Sequence, residues 1–190
     1  MTNTLPNRLY PGMGCSATEF FVAENGVKII QDAKVIPFCE ISFDTQKILQ
    51  DAIDADKEVK LHLFDMHPTS KVKRLEQFVT CRFGGLDFVG DIQDGQLQDG
   101  EFWACPKRGK CASEGILCKL PSYNGQRLSI DEVHLMQECS TPKKNEVIAE
   151  DLSLPYGSFH KSKKILYEKL GIQTKQEVAL IATILNLIQF

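Results

Sequence analysis

What this chain lacks narrows its function first. No apolar run approaches the roughly 20 residues that a membrane-spanning helix requires. The opening residues, MTNTLPNRLYPGMG, carry no hydrophobic signal-peptide segment. Both absences predict a cytoplasmic protein with no membrane partner. There is no G-x-S-x-G elbow, no P-loop and no dinucleotide-binding glycine fingerprint. His62, His67, His134 and His160 are scattered along the chain rather than grouped with a nucleophile. On these grounds the chain is not expected to be an enzyme. Internal repeats and low-complexity tracts are also missing. So is an excess of positive charge: a formal net charge of −3 and a pI near 5.8 do not describe a generally basic nucleic-acid coat.

What is present fits two domains. With 190 residues, 43% of them hydrophobic, the chain can build one or two cores. The turn-rich stretch Pro121-Ser122-Tyr123-Asn124-Gly125 marks the best boundary. It separates an α+β domain, residues 1–121, from an all-α domain, residues 128–190. In the first, Glu19–Ala23 and Lys34–Phe43 have strand composition, with Pro37 confining the second to an edge or a break. Thr45–Ala55 predicts a helix with Ile48, Leu49, Ala52 and Ile53 on one face. Glu58–Leu63 alternates, Val59, Leu61 and Leu63 against Lys60 and His62, as a half-buried strand does. Thr69–Thr80 predicts another helix through Val72, Leu75, Phe78 and Val79. Asp94-Gly95 and Asp99-Gly100 mark turns about a small hairpin. Asp65, near the end of LHLFDMHP, sits where a receiver domain carries its phosphoacceptor. The acidic pair and the lysine strand that receiver chemistry needs are absent, and VAEN around Glu24 does not supply the pair.

The last third of the chain is the most informative. In LSIDE, Ser129 can cap a helix and Glu132, three residues on, can reach back to complete a capping box. Thr141-Pro142 announces a second helix carrying Val147, Ile148 and Ala149 and ending near Asp151. Leu152-Ser153-Leu154-Pro155 makes a tight break, and Pro155 opens a third helix that runs to about Leu170. Gly171 stops it, and Thr174 with Glu177 opens a fourth through another capping box. With Leu128, Ser129, Glu132, Met136, Asn145, Ile148, Ala149, Leu152, Leu154, Ser158, Phe159, Leu166, Lys169, Leu170 and Ile172 at ungapped spacing, residues 128 to about 183 resemble the LuxR-type (NarL/FixJ-type) helix-turn-helix DNA-binding domain. Pro142, Asp131 and Ser162 depart from that family's pattern. The resemblance implies a four-helix domain, double-stranded DNA as partner, and a homodimer made through the C-terminal helix.

Helical periodicity assigns faces to these segments. With Phe159, Leu166 and Leu170 turned to the core, Gly157, Lys161, Lys164 and Glu168 lie opposite and His160 lies at the flank. In a helix-turn-helix frame the exposed N-terminal part of this helix enters the major groove. Lys161, Lys164 and His160 would then meet phosphates or guanine edges, while Tyr156 and Ser158 position the backbone. Taken by itself, HKSKK is ordinarily a solvated face. Seven lysines oppose eight acids within residues 128–190, so binding would depend on this local patch and on two half-sites read by a dimer. From Val178 to Phe190 the last helix is apolar on two stripes. Val178, Ile181, Leu185 and Ile188 can pack inward, and Leu180, Ile184 and Leu187 are left for a second copy or for the N-terminal domain.

Seven cysteines in a reducing compartment point to thiols or metal ligands rather than disulfides. In CPKRGKCASEGILC, Cys105, Cys111 and Cys118 are separated by five and six residues, and Cys81 lies upstream beside Gly84-Gly85. Four thiolates suit zinc or an iron–sulfur cluster, with Cys139 or His134 as substitutes for Cys81. The C-x2-C pairs of familiar zinc motifs are missing, which keeps three unliganded thiols in a loop as the alternative. Cys15 and Cys39 are expected in the core. The resulting expectation is a transcriptional regulator whose N-terminal domain senses a signal or binds a partner. Its rivals are a cytosolic metal- or redox-sensing protein centred on the cysteines, and an interaction module that keeps the helical fold but no longer binds DNA.

Overall fold

A computed structural model describes residues 9–188. The architecture is mixed α and β and divides into two compact units, Met1–Lys119 and Leu120–Phe190. No helix among the described residues is long and apolar enough to cross a membrane.

The first unit opens with an antiparallel meander of β1 (Glu19–Ala23), β2 (Gly26–Gln31) and β3 (Lys34–Pro37). Asp32 and Ala33 join β2 to β3 with φ of 51° and 59°, the two left-handed residues that match a tight turn to the strand twist. Strand β3 ends at Pro37, which cannot donate to a ladder. A 3-10 turn, Phe38–Glu40, follows, so the strand expected through Phe43 stops six residues early.

Three helices come next: α1 (Phe43–Ala55), α2 (Lys57–Met66) and α3 (Lys71–Arg82). Ser42, Asp56 and Ser70 cap them, each side chain accepting a hydrogen bond from the third helical N–H. Helix α2 corrects the strand expected over Glu58–Leu63. Once Asp56 caps the segment, Val59 and Leu63 fall one turn apart and are both buried, while Leu61 is 64% exposed. Asp65 is an exposed residue of this helix. A hairpin of β4 (Ile92–Gln93) and β5 (Gln96–Leu97) turns through Asp94-Gly95, whereas Asp99-Gly100 forms no turn. The core gathers Phe20, Val27, Ile29, Leu49, Ile53, Val59, Leu63, Leu75, Phe78, Val79 and Phe83 from sheet and helices.

The second unit begins with a hairpin, β6 (Ser122–Tyr123) and β7 (Gln126–Arg127), turned through Asn124-Gly125. Four helices follow: α4 (Ile130–Cys139), α5 (Asn145–Asp151), α6 (Tyr156–Leu170) and α7 (Lys175–Ile184). Both capping boxes, Ser129 with Glu132 and Thr174 with Glu177, are formed. Helix α5 starts later than Thr141-Pro142 predicts. The Thr141 hydroxyl donates backwards to the Glu138 carbonyl, and Lys144 becomes the cap without a side-chain bond.

Ser153, left-handed at φ 53°, closes α5 while Leu154 N–H donates to Ala149 O at 2.9 Å. Gly171, at φ 71°, closes α6 in the same way, with Ile172 N–H donating to Tyr167 O at 3.0 Å. Helix α7 packs on α4, and α5 packs on both α4 and α6. Leu128, Val133, Met136, Ile148, Phe159, Leu166, Leu170, Val178 and Ala182 are buried in this unit. Helix α7 is shorter than expected. After Ile184 the chain turns through Asn186 (φ 54°), and Leu187, placed by periodicity on the outer stripe, is buried instead. Phe190 lies outside the described residues.

Candidate nucleic-acid interface

The exposed face of α6 follows from its composition. Tyr156–Ile165 contains three lysines and one histidine and no carboxylate, and only Phe159 of those ten residues is buried. Phe159 anchors the helix, so its neighbours one residue either side must point outward. Helix α6 also differs from α4, α5 and α7 at its start. It has no acid in its first turn, and like α5 it has no side-chain cap.

All five predicted contact residues are exposed on this helix: Tyr156, Ser158, His160, Lys161 and Lys164. Tyr156 Oη donates to Glu146 Oε1 at 3.1 Å, and its ring meets the edge of His160 with centroids 4.4 Å apart. That bond ties the start of α6 to α5 and fixes the direction of the aromatic pair. Lys161 makes no ion pair among the described residues. Lys164 lies 3.8 Å from Glu168, an exposed pairing too weak to hold it against a phosphate.

Two residues were not singled out from sequence. Half-buried Lys163 reaches Asn145 Oδ1 at 3.4 Å and stands over the Tyr167 ring at 5.1 Å. Glu146 is the acceptor that orients Tyr156. His160, Lys163, Lys164, Tyr167, Glu168, Ile172 and Gln173 line a shallow hollow of about 470 Å³. Glu132 Oε2 accepts from Lys169 Nζ at 2.6 Å and from Ser129 N–H at 2.7 Å, joining the cap of α4 to the last turn of α6. On α7, Leu180 and Ile184 are each 62% exposed and one turn apart.

The cysteines divide into two classes. Cys15 and Cys39 are exposed, which corrects their expected place in the core, and Cys139 is buried in α4. Gly12 N–H donates to Cys15 Sγ at 3.5 Å and lowers that thiol's pKa. Cys81, Cys105 and Cys111 are half-buried and Cys118 is buried. Burial pushes the Cys81 thiol up to about 11, and the charges of Cys118, Cys105 and Cys111 act on it in the same direction. Among the described residues no three His, Cys, Asp or Glu side chains are gathered into a group that could hold an ion as they stand.

A buried acidic pair was not foreseen. Thr18 pairs with Ile92 through hydrogen bonds of 2.9 and 3.1 Å, which brings Glu19 beside Asp91. Glu19 accepts from Asp87 N–H at 2.9 Å and Asp91 accepts from Phe20 N–H at 2.7 Å. Neither has a cation, and Glu19 Oε2 has no hydrogen-bond partner among the described residues. Burial, reinforced by the charges of Asp87 and Glu101, raises Glu19 to about 9. Burial first, and then the charge of Glu19, also raises Asp91 well above the carboxylate range.

Comparison with protein-family models, with curated proteins and with solved structures returned no match.

Proposed function

We propose that this protein is a sequence-specific DNA-binding transcriptional regulator, with residues 128–190 acting as a four-helix, LuxR-type helix-turn-helix domain. The observation that carries the reading is the carboxylate-free first ten residues of α6, exposed apart from buried Phe159 and half-buried Lys163 and set behind a tight left-handed turn from α5. A helix presented this way supplies cations for phosphates and side chains for base edges from one surface. The Glu132–Lys169 bond supports the same reading, because two of the residues that carry the family resemblance meet in space.

Tyr156 and Ser158 position the backbone of the nucleic acid, and His160, Lys161 and Lys164 face phosphates and the groove. Leu180 and Ile184 form the contact of a homodimer that reads two half-sites. The first unit, with its cysteine loop, senses a signal or binds a partner in the cytoplasm, and the chain has no catalytic activity.

An interaction module of the same fold is favoured by one fact only, the excess of acids over lysines in residues 128–190. Fluorescence anisotropy with random and genomic duplexes at low salt separates the two. Binding that weakens steeply with salt supports the regulator. A folded protein that binds no duplex at low salt supports the interaction module.

A further inference from the structure

One flank of α6 carries more positive charge than Lys161 and Lys164 account for. Counting 100° per residue from Phe159, Lys163, Tyr167, His160 and Lys164 fall at about 40°, 80°, 100° and 140°. They lie between the buried Phe159 side and the outward Lys161 side, and all four line the hollow of about 470 Å³. The opposite flank, Ser158, Ser162 and Ile165, carries no charge.

Lys163 is the cation of this flank that has no anion. It is half-buried, and neutral groups hold its ammonium: Asn145 Oδ1 at 3.4 Å and the Tyr167 ring at 5.1 Å. Glu168, the one carboxylate that lines the hollow, lies 3.8 Å from Lys164 instead. Among the described residues Lys163 makes no ion pair. Neutral partners replace only part of the hydration that a half-buried ammonium loses, and an anion in the hollow would supply the rest.

The position suits one kind of anion. Asn145 is the first residue of α5. In a helix-turn-helix frame the first motif helix crosses the sugar–phosphate backbone while the second lies in the major groove. That groove is about 12 Å wide, and a helix with its side chains is about 10–12 Å across, so the flanks of α6 face the two phosphate walls. Lys163 stands where α5 and α6 both approach one strand.

We propose that Lys163, together with His160 and Lys164, holds one backbone phosphate of bound duplex DNA in this hollow, as a positioning contact that carries no sequence information. The proposal rests on the reading of α6 as the helix that enters the groove. Lysine suits the task, as a compact charge on a long stem that meets a phosphate without fixed geometry. Its contacts to Asn145 and Tyr167 hold the ammonium in place before DNA arrives, so less side-chain freedom is lost on binding.

Fluorescence anisotropy of the full chain with two duplexes of unrelated sequence, across salt concentrations, tests the assignment. Lys163→Met should weaken binding to both duplexes by a similar factor and shrink the log–log salt slope by about 0.9. Lys163→Arg, which keeps the charge, should keep the slope, an outcome that a purely structural role would not give. Should Lys163→Met fail to fold, Lys163→Gln, which retains an amide donor, replaces it. Equal slopes in wild type and the folded neutral variant overturn the proposal. So does a loss confined to one duplex, which would place Lys163 at a base edge. Inorganic phosphate that binds DNA-free wild type in calorimetry, with the salt slope the same in wild type and variant, would assign the hollow to a free anion and overturn the backbone contact. Wild type that binds neither duplex at low salt overturns the DNA-binding reading and this assignment with it, whereas an unchanged slope overturns this assignment alone.

Discussion

Glu19→Gln should flatten the pH dependence of the first unit's stability. The folded carboxyl titrates near 9 against an ordinary value of 4.5, chiefly because it is buried. Below pH 4.5 both folded and unfolded states hold the proton, and the contribution to stability is fully present. As pH rises the unfolded chain releases its proton while the folded chain keeps it, so stability falls until the folded group ionises at about 9. Over the three units from pH 5 to 8 this slope amounts to about 4 kcal/mol, at roughly 1.4 kcal/mol per unit.

Glutamine keeps the acceptor for Asp87 N–H but places an NH₂ where Oε2 has no partner. That costs about 1–3 kcal/mol at every pH. The slope, not the level, is therefore the readout. A smaller slope should remain from Asp91, whose larger cause is burial and not Glu19. Urea unfolding at pH 5 and pH 8, followed by the fluorescence of Trp103, the chain's single tryptophan, measures the first unit directly. Wild-type stability that is flat or rising across that range, or an equal fall in Glu19→Gln, would refute the buried-acid argument.

Three further outcomes are expected. Lys161→Ala with Lys164→Ala should leave the fold intact, since both side chains are exposed, and should shrink the log–log salt slope of DNA binding by about 0.9 per lysine; anisotropy titrations across salt concentrations check it. Leu180→Glu with Ile184→Glu should dissociate a dimer while sparing the core, and sedimentation at tens of micromolar (roughly where dimers with Kd near 1 μM are formed) tests both the wild type and the variant. Gly171→Ala should destabilise the second unit by about 1–2 kcal/mol, from the left-handed backbone alone because no atom stands near the added methyl, as urea unfolding by circular dichroism would report.

Local chemistry was legible in the sequence where a fixed spacing specified it. The capping pairs Ser129/Glu132 and Thr174/Glu177 need only three residues of chain to form, and Asp94-Gly95 needs two. The outward direction of Lys161 and Lys164 followed from the burial of Phe159 and Leu166. Competition between local options was harder to read. Glu58–Leu63 satisfies both a two-residue and a helical period, and the Asp56 cap decides for the helix. Strand β2 was missed because Ile30 breaks the alternation that Val27, Lys28 and Ile29 begin, leaving a pattern too short to read. Long-range contacts were invisible. Nothing near Glu19 announces that a bridge at Thr18 buries it against Asp91, and nothing near Cys81 shows that Arg82 fastens the distant Ile116 and Leu117 carbonyls beside it.

The central claim is that α6 reads DNA sequence. Selection of bound duplexes from a random library, carried out with wild type and with the Lys161→Ala, Lys164→Ala variant, tests it most directly. The account predicts that wild type enriches one motif, built of two half-sites about one helical turn (10–10.5 base pairs) apart or a multiple of it, and that the variant recovers it weakly or not at all. No enrichment by folded wild-type protein, or equal enrichment by both proteins, would contradict it.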